Sequence, residues 1–254
     1  MCPSQPAGSR GSNGPLVDIV IPVLNEESQL ATSVEVLRDH LRAGFPYRWR
    51  IVIADNASTD DTPAIGRRLA AQHPEVTYLR LEERGRGRAL RAAWTSGDAD
   101  IVSYMDVDLS TNLQAFGPLI ESLVAGGYDV AIGSRLTKGA SVTRQWKREI
   151  ISRGYNLMIR LLFPRRRFSD AQCGFKALTR RAVDDVVPRV ADNAWFFDSE
   201  LLIRAEQRGY RIFEVPVGWI EDLDSRVKIV RTAWEDVKGL VRVRLTRSPG
   251  AAGA

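Results

Sequence analysis

The chain has 254 residues, 44% hydrophobic and 26% charged, which suits one large globular α/β domain. Two cysteines (Cys2, Cys173) and two histidines (His40, His73) exclude a disulfide framework, a multi-histidine metal site and a histidine-based catalytic triad. The net charge is +5, and 31 of the 36 cationic residues are arginine, whose planar, permanently charged fork suits phosphate.

Residues 1–15 are rich in Gly, Ser and Pro and read as a disordered tail, not a signal peptide. Leu16–Val23 (LVDIVIPV) reads as a buried strand. Glu26–Arg42 follows as a helix, with Leu30, Val34, Leu37 and Leu41 at helical spacing. Arg50–Ala54 is the second predicted strand and Asp61–Gln72 the second helix, with Pro63 tolerated in its first turn. Val76–Leu81, a helix over Gly87–Ser96 and a strand over Ile101–Met105 complete three strand–helix–strand units. This alternation predicts a Rossmann-like, mostly parallel sheet with helices on both faces. Such sheets hold ligands at the carboxyl ends of their strands. The second half is less regular: a strand over Asp129–Ile132, helices over Arg148–Leu162 and Ser199–Arg208, a strand over Arg211–Val217 and a long helix over Asp224–Val243. No linker interrupts residues 16–245, which read as a single domain, and 246–254 form a second loose tail. No apolar run approaches the ~20 residues that a membrane-spanning helix needs.

Asp106-Val107-Asp108 directly follows the strand Ile101–Met105. Residues two apart in an extended segment face the same way, so both carboxylates can meet one ligand. At a strand's carboxyl end they can hold a divalent cation that also binds a diphosphate. A turn cap leading into Leu109-Ser110-Thr111-Asn112 is the structural alternative, and the two are compatible. Asn25, Glu26 and Glu27 at the end of the first strand suit a helix start, where acidic groups complement the helix dipole. Asp55-Asn56-Ala57-Ser58-Thr59-Asp60-Asp61-Thr62 after the second strand places short polar side chains where a base or ribose is read. An Asx/Ser turn explains Ser58 and Asp60 equally well. Arg84-Gly85-Arg86-Gly87-Arg88 lacks the third glycine of a dinucleotide fingerprint, because Leu90 stands there, so a nicotinamide site is rejected.

Seven segments occur together and in order: Pro22-Val23-Leu24-Asn25-Glu26, Asp55-x-x-Ser58-x-Asp60-x-Thr62, Gly85-Arg86-Gly87, Asp106-x-Asp108, Gly133-Ser134-Arg135, Asp170-x-Gln172-Cys173-Gly174-Phe175-Lys176 and Asp198-x-Glu200-Leu201. In these the chain resembles the family 2 glycosyltransferases of GT-A fold, and most of all the dolichyl- or polyprenyl-phosphate sugar synthases. The resemblance runs from about Leu16 to Lys238. It implies an inverting transfer of a hexose from a UDP- or GDP-linked sugar, with Mg2+ or Mn2+ at Asp106 and Asp108. Ser110 stands where some relatives have a metal-binding side chain. Pro22, Asn25, Glu26 and Asp55 match nucleotide-contact positions, and Asn56-Ala57 replaces the family's usual Asp-Gly. Arg86 and Gln172 lie within matched motifs and are expected substrate contacts. Arg135, Arg148 and Arg226 match positions near the sugar and the acceptor phosphate.

The acceptor decides which residues the chemistry needs. A phosphate monoester is mostly ionised at neutral pH, its second pKa being near ~6, so it needs orientation and no general base. A hydroxyl acceptor would need a carboxylate or histidine, and neither histidine lies in a matched motif. Asp198 and Glu200 are the candidate bases, with N-terminal capping of a helix as their structural alternative. A soluble family 2 enzyme acting on a hydroxyl acceptor is the competing reading. Leu157-Met158-Ile159-Arg160-Leu161-Leu162-Phe163 followed by Arg165-Arg166-Arg167 has the character of a peripheral helix facing anionic lipid. The expectation is a peripheral enzyme on the cytoplasmic face of a membrane. Nucleic acid is not an expected partner, since scattered tryptophans and ordered acidic motifs do not fit such a surface.

Overall fold

A computed structural model describes residues 14–143, 146–164, 166–220 and 229–246, the side chains of 143–151 and 229–233 excepted. In the first half, β1 (Leu16–Val23), β2 (Arg48–Asn56), β3 (Val76–Leu81) and β4 (Ile101–Met105) alternate with α1 (Leu30–Gly44), α2 (Thr62–Gln72) and α3 (Arg86–Ser96). These four strands pair in parallel, in the order β3-β2-β1-β4. The second half adds α4 (Phe116–Val124), β5 (Val130–Ser134), β6 (Ser141–Thr143), α5 (Trp146–Leu162), β7 (Phe175–Thr179), α6 (Arg180–Val186), α7 (Phe197–Gln207), β8 (Ile212–Pro216), β9 (Gly218–Ile220) and α8 (Ile229–Leu245).

One seven-stranded sheet results, in the order β3-β2-β1-β4-β7-β5-β8, with β6 and β9 pairing apart from it. Its inner strands bury both faces, as a helix-covered sheet must, while the edge strands β3 and β8 stay partly exposed. Val17, Ile19 and Ile21 of β1 face α1, α2 and α4, whereas Val20 turns to the side covered by α3, α5, α6, α7 and α8. The single reversal is β7, antiparallel to both β4 and β5. Because β7 runs backwards, its first residue, Phe175, pairs with the last residue of β4, Met105. The segment leading into β7 therefore arrives at the carboxyl edge of the parallel strands. β5 runs the same way as β4, so Ser134 ends at that edge too.

The observed elements differ from the sequence expectation in several places. α1 begins at Leu30, not Glu26, because Asn25 sits at φ 57° and residues 24–29 form a turn in which the Glu26 carbonyl accepts from Gln29 and Leu30. β6, β7, β9, α4 and α6 are not predicted, and α8 is described from Ile229, the stretch 221–228 lying outside the described residues. Many arginines serve as clasps for backbone carbonyls at element ends. Arg91 donates to Val187 and Val190, and Arg180 to Trp94 and Ala99. No helix among the described residues is long and apolar enough to cross a membrane.

Candidate active site

Six of the seven sequence segments converge at the carboxyl edge of the sheet. Those after β1, β2, β3 and β4 arrive there by parallel pairing, and those after β5 and before β7 by the reversal. The seventh, on α7, reaches the site from the helical layer through Asp198.

Asp106 sits at the centre. Tyr104 lies two residues earlier on β4, on the same face of the strand. Nη2 of Arg86 donates to Asp106 Oδ1 at 2.5 Å, and its guanidinium lies between two rings, 5.3 Å from Tyr104 and 4.9 Å from Trp195. Burial works against the Arg86 charge, but Asp106, Tyr104 and Asp198 hold its pKa above the ordinary value. The Tyr104 hydroxyl donates to Asp198 Oδ1, and Lys176 Nζ pairs with the same oxygen at 3.0 Å. Burial, then the Asp198 charge, push the Tyr104 phenol well above its usual pKa. Lys176, fully enclosed, also donates to the Cys173 carbonyl at 2.5 Å.

Gly174 lets the backbone before β7 close against this cluster, because a Cβ on it would overlap the Asp106 carboxylate. Gly174→Ala is therefore expected to displace Asp106 and cut activity by at least about tenfold, roughly one lost contact of ~1.4 kcal/mol. Steady-state kinetics with a thermal melt would check this, and unchanged turnover would remove Gly174 from the site. Asp108 is exposed one turn further on, and Ser110 N–H donates to its Oδ1 at 2.9 Å. That loop is pinned by β9: Asn112 and Gly218 exchange hydrogen bonds at 2.9 and 2.8 Å, and Ile220 N–H donates to the Ser110 carbonyl at 3.0 Å.

Hard oxygen donors suit Mg2+ or Mn2+, which keep part of their shell for substrate phosphate. Asp106, Asp108 and Ser110 carry hard oxygen donors of this kind. Among the described residues no group of three or more His, Cys, Asp or Glu is placed to hold a metal ion.

The segments after β1 and β2 brace each other. Asn25 Oδ1 accepts from Thr59 N–H at 2.8 Å, Glu26 N–H donates to Thr62 Oγ1 at 2.8 Å, and Asp61 N–H donates to Glu27 Oε2 at 2.9 Å. The acidic residues expected to complement the dipole of α1 thus tie two loops together instead. Asp55, fully buried, accepts from Ser58 N–H at 2.8 Å, the Tyr78 hydroxyl at 2.5 Å and Arg80 Nη1 at 2.9 Å. Asn56 Oδ1 accepts from Gly85 N–H at 2.6 Å, linking this loop to the turn that carries Arg86. Pro22 stands one residue inside the end of β1, paired with Ala54.

On the other side, Arg135 forms a two-pronged bond to Asp170, Nε at 2.7 Å and Nη2 at 2.9 Å, beneath the Trp219 ring. Burial alone would raise the Asp170 carboxyl, but Arg135 holds it below the usual carboxylate range. Gln172 Nε2 donates to Asp236 Oδ2 of α8 at 3.0 Å. Burial, with the charge of Asp192, pushes the Asp236 carboxyl up to about 7. Burial also pushes the neighbouring Cys173 thiol up to about 12, so it is no nucleophile.

Residues 18–187 match the sequence model of "Glycosyl transferase family 2". The chain belongs to this family. Among family 2 relatives, glycosyltransferase AglD of Haloferax volcanii is 36% identical over 245 residues, covering 91% of this chain and 38% of that protein. The dolichyl-phosphate beta-glucosyltransferase of Saccharomyces cerevisiae is 26% identical over 248 residues, covering 90% of this chain and 74% of that one. The chain thus spans well under half the length of AglD. Glucosyl-3-phosphoglycerate synthase of Mycobacterium tuberculosis superposes with a TM-score of 0.71 at 20% identity, over 93% of this chain and 83% of that one. Its complex with Mn2+, UDP and phosphoglyceric acid gives 0.71 at 18% identity, over 97% and 86%. The GT-A fold expected from the motifs is the fold observed.

Of the family 2 positions carried over from sequence, the structure brings Arg86, Asp106 and Asp198 into one cluster and places Asp108 and Ser110 on the adjoining loop. Glu200, weighed as a base, is fully enclosed and accepts from Asp192 N–H at 3.0 Å and Arg242 Nη2 at 2.6 Å, with Arg204 at 3.4 Å. Those contacts make it an anchor between α7, α8 and the preceding loop. Arg148 lies on α5 with its side chain outside the described residues, and Arg226 and Arg165 lie outside them altogether. Arg166 turns inward, with Nη2 on the Asn156 carbonyl at 2.9 Å. Tyr104, Trp195 and Asp236 were not singled out from sequence, and Lys176 stands in a quoted motif without an assigned role. For Tyr104 the strand alternation with Asp106 was a usable signal, and for Trp195 the aromatic run Trp195-Phe196-Phe197 before an acidic helix start.

Proposed function

We propose that this chain transfers a hexose from a UDP- or GDP-linked sugar to a polyprenyl or dolichyl phosphate at a membrane surface. The observation that carries the acceptor is the state of the two acids on α7. Asp198 is engaged by Tyr104 and Lys176, and Glu200 by Arg204, Arg242 and a backbone N–H. Such engaged carboxylates favour an acceptor that arrives ionised and needs no proton removed. In the displacement, a lipid phosphate oxygen bonds to the anomeric carbon while the bond to the nucleoside diphosphate breaks. The electron pair leaves with the diphosphate.

A Mg2+ or Mn2+ ion held by Asp106 and Asp108, beside Ser110, would supply stabilisation of charge on the departing diphosphate. Arg86 holds Asp106 in place and adds a fixed positive charge within the cluster. The Asn25, Glu26, Asp55 and Asn56 loops, with Pro22, form the nucleoside side. Gln172 and Arg135 are assigned to sugar and acceptor phosphate, and by the resemblance so are Arg148 and Arg226, whose side chains lie outside the described residues. The name of the yeast relative, a dolichyl-phosphate beta-glucosyltransferase, supports this acceptor.

A bilayer-facing surface also has support. α5 exposes Leu157 and Leu161, and α8 exposes Trp234, Val241 and Leu245. Exposed Arg153, Arg160, Lys238 and Arg244 lie on the same two helices. Mixed apolar and basic exposure is what anionic headgroups attract. We infer a peripheral protein working on the cytoplasmic face.

The deciding experiment supplies purified protein with polyprenyl phosphate, Mn2+ or Mg2+ and a panel of UDP- and GDP-sugars. Expected are a glycosylated lipid phosphate from one donor, loss of turnover with EDTA, restoration by added metal, and flotation with phosphatidylglycerol vesicles. Transfer to hydroxyl acceptors with none to polyprenyl phosphate would replace this reading with that of a soluble glycosyltransferase.

A further inference from the structure

α8 presents two faces of different character. Asp236, Gly239, Leu240 and Val243 are buried at helical spacing, while Trp234, Lys238, Val241 and Leu245 form the exposed stripe. The buried face does not merely cover apolar surface. Gly239 lies flat on the Phe196 ring, and a Cβ at that position would overlap the ring. Arg242 donates to Glu200 Oε2 at 2.6 Å, and that same oxygen accepts the backbone N–H of Asp192 at 3.0 Å. Asp236 accepts from Gln172 at 3.0 Å. Two of these three ties end on residues 192–196, the stretch between the short helical turn after α6 and the start of α7.

That stretch in turn grips the opening of α3. Gly87 N–H donates to the Ala194 carbonyl at 3.2 Å, and Arg88 N–H to the Asn193 carbonyl at 3.1 Å. Gly85, at φ 152°, has no room for a side chain against the Asn193 carbonyl. These contacts set Trp195 over the Arg86 guanidinium, whose far end is bonded to Asp106. The contacts form one continuous physical path from α8 to Asp106, each step a packed ring or a hydrogen bond.

We propose that α8 is a positioning element for the donor site: Gly239 and the Glu200–Arg242 pair seat residues 192–196 so that Trp195 holds Arg86 on Asp106. Glu200 and Gly239 are then positioning residues that act on the reaction through Trp195 and Arg86. The inference rests on the reading above, in which Asp106 serves the nucleotide-sugar diphosphate.

Gly239→Ala tests it. An alanine in a helix interior ordinarily favours the helix over glycine, so a merely covering α8 would be stabilised or unaffected. Here the added methyl pushes on Phe196. The expected result is a KM for the nucleotide sugar raised about tenfold, with the KM for polyprenyl phosphate within about twofold of wild type. Gly239→Ala combined with Phe196→Leu makes room for the methyl and should recover most of the loss. Trp195→Ala alters a part-exposed side chain and should raise the donor KM similarly. Adding Glu200→Gln to Trp195→Ala should add little, because both act along one path. If Gly239→Ala does not fold, Trp195→Ala carries the test. A donor KM unchanged in whichever of these variants folds overturns the proposal. Wild-type enzyme and Asp106→Asn are measured alongside. Absence of nucleotide-sugar turnover in wild type defeats the parent reading, whereas normal behaviour of that pair with an unaffected Gly239→Ala defeats the positioning role alone.

Discussion

Asp106→Asn is expected to cut transfer by about 10^3-fold, the size of effect seen when one fixed group opposing developing charge is removed. The substitution preserves shape and removes the charge that faces Arg86 and shares the proposed metal site. It also has a stability cost, because the Arg86 guanidinium is nearly enclosed and its partner at 2.5 Å becomes neutral. Leaving a buried charged donor poorly paired costs about 1–3 kcal/mol. Asp108→Asn separates the two effects. Asp108 is exposed, so the same loss of turnover should come without a shift in the thermal melt. The measurements are turnover at saturating donor and acceptor, with a melt on each variant. Asp106→Asn retaining more than about a tenth of wild-type turnover would sink the assignment of this carboxylate to the reaction.

Lys176→Met is expected to produce the largest loss of stability, about 3–5 kcal/mol, the usual cost of removing one member of a buried ion pair. Lys176 is fully enclosed in β7, with Nζ 3.0 Å from Asp198 Oδ1, 2.5 Å from the Cys173 carbonyl and 3.3 Å from the Tyr104 hydroxyl. Methionine fills the space and offers none of these bonds, so Asp198 is left with Tyr104 alone. Adding Asp198→Asn removes the stranded charge and should recover about half of the loss. Urea titrations of wild type, both single variants and the double variant form a mutant cycle that reads the coupling directly. Additive losses would mean the pair contributes no interaction of its own. Turnover should fall as well, since the Cys173 carbonyl held by Lys176 precedes Gly174, which abuts Asp106.

The parallel half of the fold was legible because its signals are local. β1, β3 and β4 carry the bounds that β-branched runs suggest, and the helices between them keep a helical period. β7 was not legible as a strand. Phe175-Lys176-Ala177-Leu178-Thr179 has a lysine second, which reads as solvent-facing until Asp198 and Tyr104 arrive from distant parts of the chain to meet it. α4 opens on Phe116-Gly117-Pro118, whose glycine and proline read as a loop, although proline is tolerated in a first helical turn. For the site, the ordered motifs located most of the edge, since a motif that follows a parallel strand has its position set by that strand. Roles were less legible than positions. Glu200 and Asp198 stand two apart at one helix start and look equivalent as acids. One anchors a loop to α8 and the other pairs with a buried lysine. That distinction depends on Arg242 and Lys176, which no spacing rule connects to them.

The reversal of β7 has a consequence for how such a chain can change over time. β5 and β7 are hydrogen-bonded neighbours, yet residues 135–174 intervene between them. This excursion leaves the sheet beside Arg135 and returns beside Gly174, at one and the same edge. Because both of its ends are fixed by strand pairing, the length of its middle, away from Arg135 and residues 170–174, can drift without moving Asp106 or the loops that brace Asn25 and Asp55. Lengthening such a loop is entropically cheap, about 0.6 kcal/mol per doubling. On the proposed function, a lineage can therefore exchange one recipient of the sugar for another by rewriting the middle of this stretch, while Asp106 and its neighbours are inherited intact.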